Sequence, residues 1–199
     1  MIPVTIAVVV LLGLVAVLAT RGGNDDATTD LQQTRPVTVS GDPLVPLPDG
    51  ADTAVGNAAP ELAGAGFDGT PVRVAADGRP KVLVYLAHWC PHFQRELPVL
   101  SGWLAEHGPP PDVDLYGIAT GTNPDRPNDP PSSWLEEGGW TPPVLVDDAD
   151  DTAALAMGLS AYPFFVAVDG DHAVVARASG ELSVEQWEAL LEAAATPTA

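Results

Sequence analysis

A change of hydrophobic period at residue 90 constrains this chain more than any other feature. Lys81–Ala87 (KVLVYLA) is a continuous apolar run rich in branched and aromatic residues. That pattern suits a strand buried on both faces. From His92 to His107 the large apolar residues fall at Phe93, Leu97, Leu100 and Leu104, which is a helical stripe. Pro98 interrupts the stripe and predicts a kink. Between strand and helix lies Trp89-Cys90-Pro91-His92-Phe93.

The remaining pattern fits around this unit. Val72–Ala75 predicts a short strand, followed by a turn at Asp77-Gly78. Val113–Ala119 predicts a second buried strand, and residues 120–131 (TGTNPDRPNDPP) a Pro- and Asn-rich loop. Ser132–Glu137 and Asp151–Met157 read as short helices on either side of a strand at Pro143–Val146. Phe164–Val168 and Ala173–Ala178 flank Asp169-Gly170-Asp171-His172, a hairpin signal. The last helix starts at Ser183, where Gln186 completes a capping box and Trp187, Leu190 and Leu191 supply the buried face. This order implies an α/β domain over residues 59–196, with a central mixed sheet flanked by helices on both faces.

Residues 1–20 have a different character. Ile2–Thr20 (IPVTIAVVVLLGLVAVLAT) carries no charge. At about 1.5 Å per residue it spans roughly 28 Å, close to the hydrocarbon thickness of a bilayer. The assignment is an N-terminal transmembrane helix. A cleaved signal peptide is the rival, with Val17-Leu18-Ala19 as a small-residue cleavage site, though no basic region precedes the run. Arg21 is the only basic flank and by itself votes for a cytoplasmic domain. Residues 21–58 are rich in Pro, Asp and Thr without a period, which predicts a flexible tether.

Charge removes some functions. Lys and Arg total 8 against 27 Asp and Glu, a net charge of −19. Such a chain is repelled by phosphate backbones and by anionic headgroups, so nucleic acid is not the expected partner and membrane attachment must come from apolar burial. Cys90 is the only cysteine, so no internal disulfide holds the fold. His88, Cys90 and His92 lie close in sequence, but no second cysteine completes a zinc set. No metal and no cofactor is expected. The acidic group Asp147, Asp148, Asp150 and Asp151 lacks a calcium-loop pattern and is read as capping the helix after it. Trp103, Trp134 and Trp140 are read as packing or loop anchors, and His107 and His172 as surface residues.

Cys90 is the candidate for chemistry. The first turn of a helix has unpaired N–H groups and partial positive charge, so a thiolate there is stabilised. Pro91 suits that turn, because its missing N–H would have had no partner. His92 adds a possible cation. The plain alternative is that Cys90 is a small buried hydrophobe.

The ordered set of motifs resembles the thioredoxin superfamily, and within it the membrane-anchored, extracytoplasmic TlpA/ResA-like thiol–disulfide proteins. AAPELAGAGFDGTPVRV resembles the opening segment and KVLVYLAHWCPHF the strand with its motif. Glu96-Leu97-Pro98 matches the E-x-P that follows, Tyr162-Pro163 the proline before a strand, and Phe164–Ala178 with Gly180 the closing hairpin. The resemblance implies a thioredoxin-like fold, with Cys90 as the attacking sulfur and Trp89 and His92 flanking it. It implies that Pro163 is cis and that Tyr162, Pro163 and Pro91 border an extended substrate. Its implied partners are protein thiols and disulfides or a low-molecular-weight thiol, on the extracytoplasmic side of a single-pass cell-membrane protein.

One departure is serious. Phe93 stands where the family has its second cysteine, and phenylalanine cannot resolve a mixed disulfide. The strand KVLVYLA also holds no carboxylate, so the buried acid that often assists resolution is not evident. Three readings follow: a monothiol exchange protein with an external resolving thiol, a non-catalytic binding module for an extended peptide or partner, and a peroxidase-type cysteine. The last ranks lowest, because WCPHF lacks the Thr-x-x-Cys arrangement. Whether the protein is an enzyme stays open at this level.

Overall fold

The computed structural model describes residues 31–196. The apolar run at 2–20 and Arg21 lie outside the described residues. Among the described residues no helix is long and apolar enough to cross a membrane.

Two sheets organise the domain. The larger has five strands: Lys81–Leu86, Asp114–Ala119, Val144–Val146, Phe164–Val168 and Val174–Ser179. Three more strands, Thr38–Ser40, Glu61–Ala65 and Pro71–Val74, form a small antiparallel sheet. In chain order these are β1 to β3 in the small sheet and β4 to β8 in the large one. Among the described residues the helices are α1 (Pro91–His107), α2 (Pro131–Glu137), α3 (Thr152–Ala156) and α4 (Val184–Ala195). The large sheet has the order β6-β5-β4-β7-β8. β4 runs parallel to β5 and antiparallel to β7, so the sheet is mixed.

β4 is central because every one of its six residues is buried. Alternate residues serve two cores. Val82, Val84 and Leu86 face α1 and α4 with Leu97, Leu100, Phe165 and Trp187. Leu83 and Tyr85 face the other side, with Ile118, Leu145, Phe164, Val166 and the α3 residues Ala153, Ala154 and Ala156. α4 opens with the expected capping box. Ser183 Oγ accepts the Gln186 N–H at 3.3 Å, and Gln186 Oε1 accepts the Ser183 N–H at 2.9 Å.

Three expectations need correction. The first is the tether, which does not extend to residue 58: from Gln32, whose N–H donates to Phe67 O at 3.0 Å, the chain packs on the domain. Arg35 N donates to Asp147 O at 3.1 Å, and Leu44 N to Ala156 O at 2.8 Å. Leu44 and Ala54 are buried in the second core. Asp52 accepts two bonds from Arg177, at 2.6 and 2.9 Å, and the Arg177 side chain is fully buried. Composition sees only that this segment lacks a core of its own. The segment instead borrows the sheet's second face.

The second correction concerns His172, which was expected at the surface but is buried at the hairpin turn. Its Nε2 lies 3.4 Å from Pro60 O, and desolvation holds its pKa below the usual value. The third concerns β1 and β2, which had no counterpart in the pattern. The residues of β2 (ELAGA) show no clean alternation, and the strand is defined by its pairing with β3, Leu62 opposite Val74.

Candidate functional site

Cys90 sits where β4 hands over to α1. The strand ends at Leu86, and Cys90 N donates to Ala87 O at 3.0 Å, closing the turn. Cys90 is the N-cap residue, extended at φ −71° and ψ 118°, and Pro91 opens the helix. Cys90 is 5% exposed. Its Sγ lies 3.9 Å from the Tyr162 carbonyl oxygen. The Tyr162–Pro163 bond is cis, the conformation the resemblance implies. The structure therefore brings Cys90 and Tyr162-Pro163 together across 72 residues of sequence.

Trp89 forms the adjoining wall. Its Nε1 donates to Gly121 O at 2.7 Å, and its ring meets the Tyr162 ring edge-on, centroids 5.7 Å apart. Such pairs contribute about 0.5–1.5 kcal/mol beyond area burial. Burial pushes the Tyr162 hydroxyl up to about 12. Gly121 is required beneath this pair. It has φ +62°, and a Cβ there would sit 2.9 Å from Tyr162 Oη.

His92 and Phe93 diverge from Cys90. The His92 side chain is exposed, and its Nδ1 lies 2.7 Å from Glu181 Oε1. Arg95 joins the same carboxylate, and these two partners, Arg95 first, hold the Glu181 carboxyl below the usual range. Phe93 points inward, fully buried, and its ring meets Trp134 at 5.8 Å. The position of the expected partner thiol is thus a core position in this chain.

A buried acid is present after all, on α1 rather than on β4. Glu96 is 2% exposed. Its Oε1 accepts the Leu182 N–H at 2.7 Å, while Oε2 has no hydrogen-bond partner. Burial pushes its carboxyl up to about 7. The signal is in the Glu96-Leu97-Pro98 motif, where Glu96 stands four residues before Leu100 on the buried face of α1.

The Pro- and Asn-rich loop roofs the site. His88 is buried, with Nδ1 2.7 Å from Pro127 O and Nε2 3.2 Å from the Asn123 N–H. Those partners make Nδ1 the donor and Nε2 the acceptor, and both ring nitrogens hold the loop. Asn128 Nδ2 adds a bond to His88 O at 2.8 Å. The loop carries Arg126 over the Trp89 ring, 4.8 Å from its centroid. Trp89, Gly121, Thr122, Asn123, Arg126, Asp151 and Tyr162 line a groove of about 370 Å³. Sequence reasoning passed over Arg126, because a loop residue's stacking partner is set only by the fold.

The acidic group divides its labour. Asp147 accepts the Ala153 and Ala154 N–H groups at 2.8 and 3.0 Å, and Asp148 accepts Thr152 N–H at 3.0 Å. Asp151 itself does not cap α3 by its side chain. It turns back to accept from Thr120 Oγ1 at 3.0 Å and Gly121 N at 2.7 Å. Trp103 Nε1 donates to Glu188 and its ring stacks on His107, while Trp140 is buried in the first core.

No protein-family model matches the chain, and no curated protein does either. Solved structures do. A thioredoxin-family thiol:disulfide interchange protein from Chlorobium tepidum TLS is 20% identical, over 73% of this chain and 100% of that one, with a TM-score of 0.58. A secreted Mycobacterium tuberculosis disulfide oxidoreductase homologous to E. coli DsbE is 23% identical, over 72% and 99%, with a TM-score of 0.53. StoA from Bacillus subtilis is 14% identical, over 80% and 99%, with a TM-score of 0.53. The likeness gives the fold: residues 31–196 have the thioredoxin-like architecture.

Proposed function

We propose that this protein is a membrane-tethered monothiol exchange protein acting through Cys90 on protein or low-molecular-weight disulfides. One observation carries the reading. Cys90 occupies the N-terminus of α1 with its Sγ 3.9 Å from the carbonyl of Tyr162, a residue that with Trp89 lines the adjoining groove. The chemistry of the fold's relatives, thiol:disulfide interchange, agrees with that placement.

The Cys90 thiol loses its proton to solvent and its sulfur attacks one sulfur of a substrate disulfide. The substrate S–S bond breaks, a Cys90–substrate S–S bond forms, and the second substrate sulfur leaves as a thiolate. Phe93 offers no thiol, so a separate thiol attacks the mixed disulfide and returns Cys90 to its starting state. The N–H groups of the first turn of α1 stabilise the sulfur's negative charge when it attacks and when it leaves. The apolar run at 2–20 is the proposed tether, with the domain on the extracytoplasmic side, and reporter fusions at the carboxy terminus test that orientation.

The second reading, a binding module without turnover, is favoured by the 5% exposure of Cys90. Turnover separates the two. The rate at which a mixed-disulfide substrate is reduced by an external thiol is measured with the wild type and with Cys90→Ser. The exchange reading expects the wild-type acceleration to vanish in the variant, and equal rates would exclude catalysis by Cys90.

A further inference from the structure

We propose that Arg126 makes the groove beside Cys90 selective for disulfides that carry a carboxylate close to the reacting sulfur. This rests on the exchange reading above and names the substrate class of the same site.

The observation is a cation left uncommitted. Arg73 pairs with Glu61, Arg79 with Asp114, Lys81 with Asp77, Arg95 with Glu181 and Arg177 with Asp52. Arg35 donates to Phe67 O. Among the described residues, Arg126 is the basic side chain whose head group meets neither a carboxylate nor a carbonyl. Asp125 and Asp129 flank it on the same loop, yet neither forms an ion pair with it. Its guanidinium instead lies over the Trp89 ring, with Cζ 4.8 Å from the centroid. A guanidinium over an aromatic ring keeps its N–H donors available to a ligand.

Its location gives this meaning. Arg126 and Trp89 line the same groove as Tyr162, whose carbonyl touches the Cys90 sulfur. The groove has one carboxylate, Asp151, and its Oδ1 is taken up by Thr120 and Gly121. About 370 Å³ is near the lower end of small-ligand sites, which run from about 300 Å³. It suits a small thiol compound or the residues beside a cysteine in an extended peptide. The chain as a whole carries −19 and repels anions. A carboxylate within reach of Arg126 gains a forked, charge-assisted pair of hydrogen bonds that outweighs the screened repulsion of more distant acids.

The step is the exchange already written. Cys90 attacks a carboxylate-bearing disulfide, the mixed disulfide forms with the carboxylate on Arg126, and the other half leaves as its thiolate. The experiment uses three simple alkyl disulfides with the protein at about 0.15 M ionic strength, where distant charges are screened: dithiodiglycolate, hydroxyethyl disulfide and cystamine, which are anionic, neutral and cationic. Their rates of Cys90 modification are read as the anionic-to-cationic ratio. The wild type is expected to prefer dithiodiglycolate, against its own net charge. Arg126→Gln is expected to lower that ratio at least tenfold, Arg126→Lys to restore part of it, and 0.5 M salt to compress it. A peptide disulfide with Glu or Gln beside the cysteine then identifies whether the carboxylate comes from a polypeptide or a small thiol. An unchanged ratio in Arg126→Gln, or a wild-type preference for cystamine, overturns the proposal while leaving Cys90 exchange standing. Modification by none of the three in the folded protein overturns both.

Discussion

Glu96 is the residue at which burial and titration meet. Its carboxyl is enclosed, one oxygen lacks a partner, and its pKa stands at about 7 against an ordinary 4.5. Desolvation is the main cause, opposed by the Leu182 N–H and aided by the Glu181 charge. A raised acid pKa means that the folded state holds the proton more tightly than the unfolded chain. The resulting stability is complete below pH 4.5 and is lost as pH rises through 7, on the order of 3 kcal/mol in all. Glu96→Gln mimics the protonated acid and should not show this loss. Thermal melts of both proteins are expected to diverge between pH 4.5 and 8, the wild type falling relative to the variant. Parallel profiles would show that Glu96 ionises freely. Local sequence showed where Trp89, Cys90 and Tyr162-Pro163 fall, because each belongs to a short motif at an element boundary. It could not show that Glu96 would be sealed in or that Arg126 would stack on Trp89. Both depend on which loops and connections cover the start of α1.

At the scale of elements, the turn between β4 and α1 sets what the sulfur can do. The helix geometry places the Cα atoms of residues 90 and 93 about 5 Å apart, within the range of roughly 4.4–6.8 Å that a disulfide spans. Phe93→Cys is therefore expected to form a disulfide with Cys90 on mild oxidation, seen as the loss of both thiols in a titration of the folded protein. Two thiols that persist would count against the geometry given to this turn. The reduced variant should be less stable by about 3 kcal/mol, because a buried aromatic ring is lost from the contact with Trp134. The strands of the large sheet and the helices α1 and α4 were legible because their own residues carry the period. β1 and β2 were not, because Gly64 and the small residues around it become a strand only through pairing with β1 and β3, and β1 is three residues paired to β2.

For the whole molecule, the folded unit begins well before the boundary that composition suggests. Asp52 and the fully buried Arg177 join residues 31–58 to β8. The Arg177 hydrogen bonds hold the Asp52 carboxyl below its ordinary 3.8. That contribution is present above this value and disappears as pH falls through the lowered one. Asp52→Asn leaves Arg177 buried without its charge partner and is expected to cost on the order of 3–5 kcal/mol at neutral pH. A chain starting at residue 31 should melt as the longer one does, and one starting at residue 59 at a markedly lower temperature. Equal melting of the two fragments would return residues 31–58 to the role of a tether. All of this architecture converges on one sulfur, which tests the account most directly. The folded protein is incubated with hydroxyethyl disulfide and its mass followed with time, before and after a second thiol is added. One adduct per chain is expected, located at Cys90, absent in Cys90→Ser and removed by the added thiol. A folded chain that stays unmodified, while the same chain in guanidinium takes up the adduct, would contradict thiol exchange at Cys90.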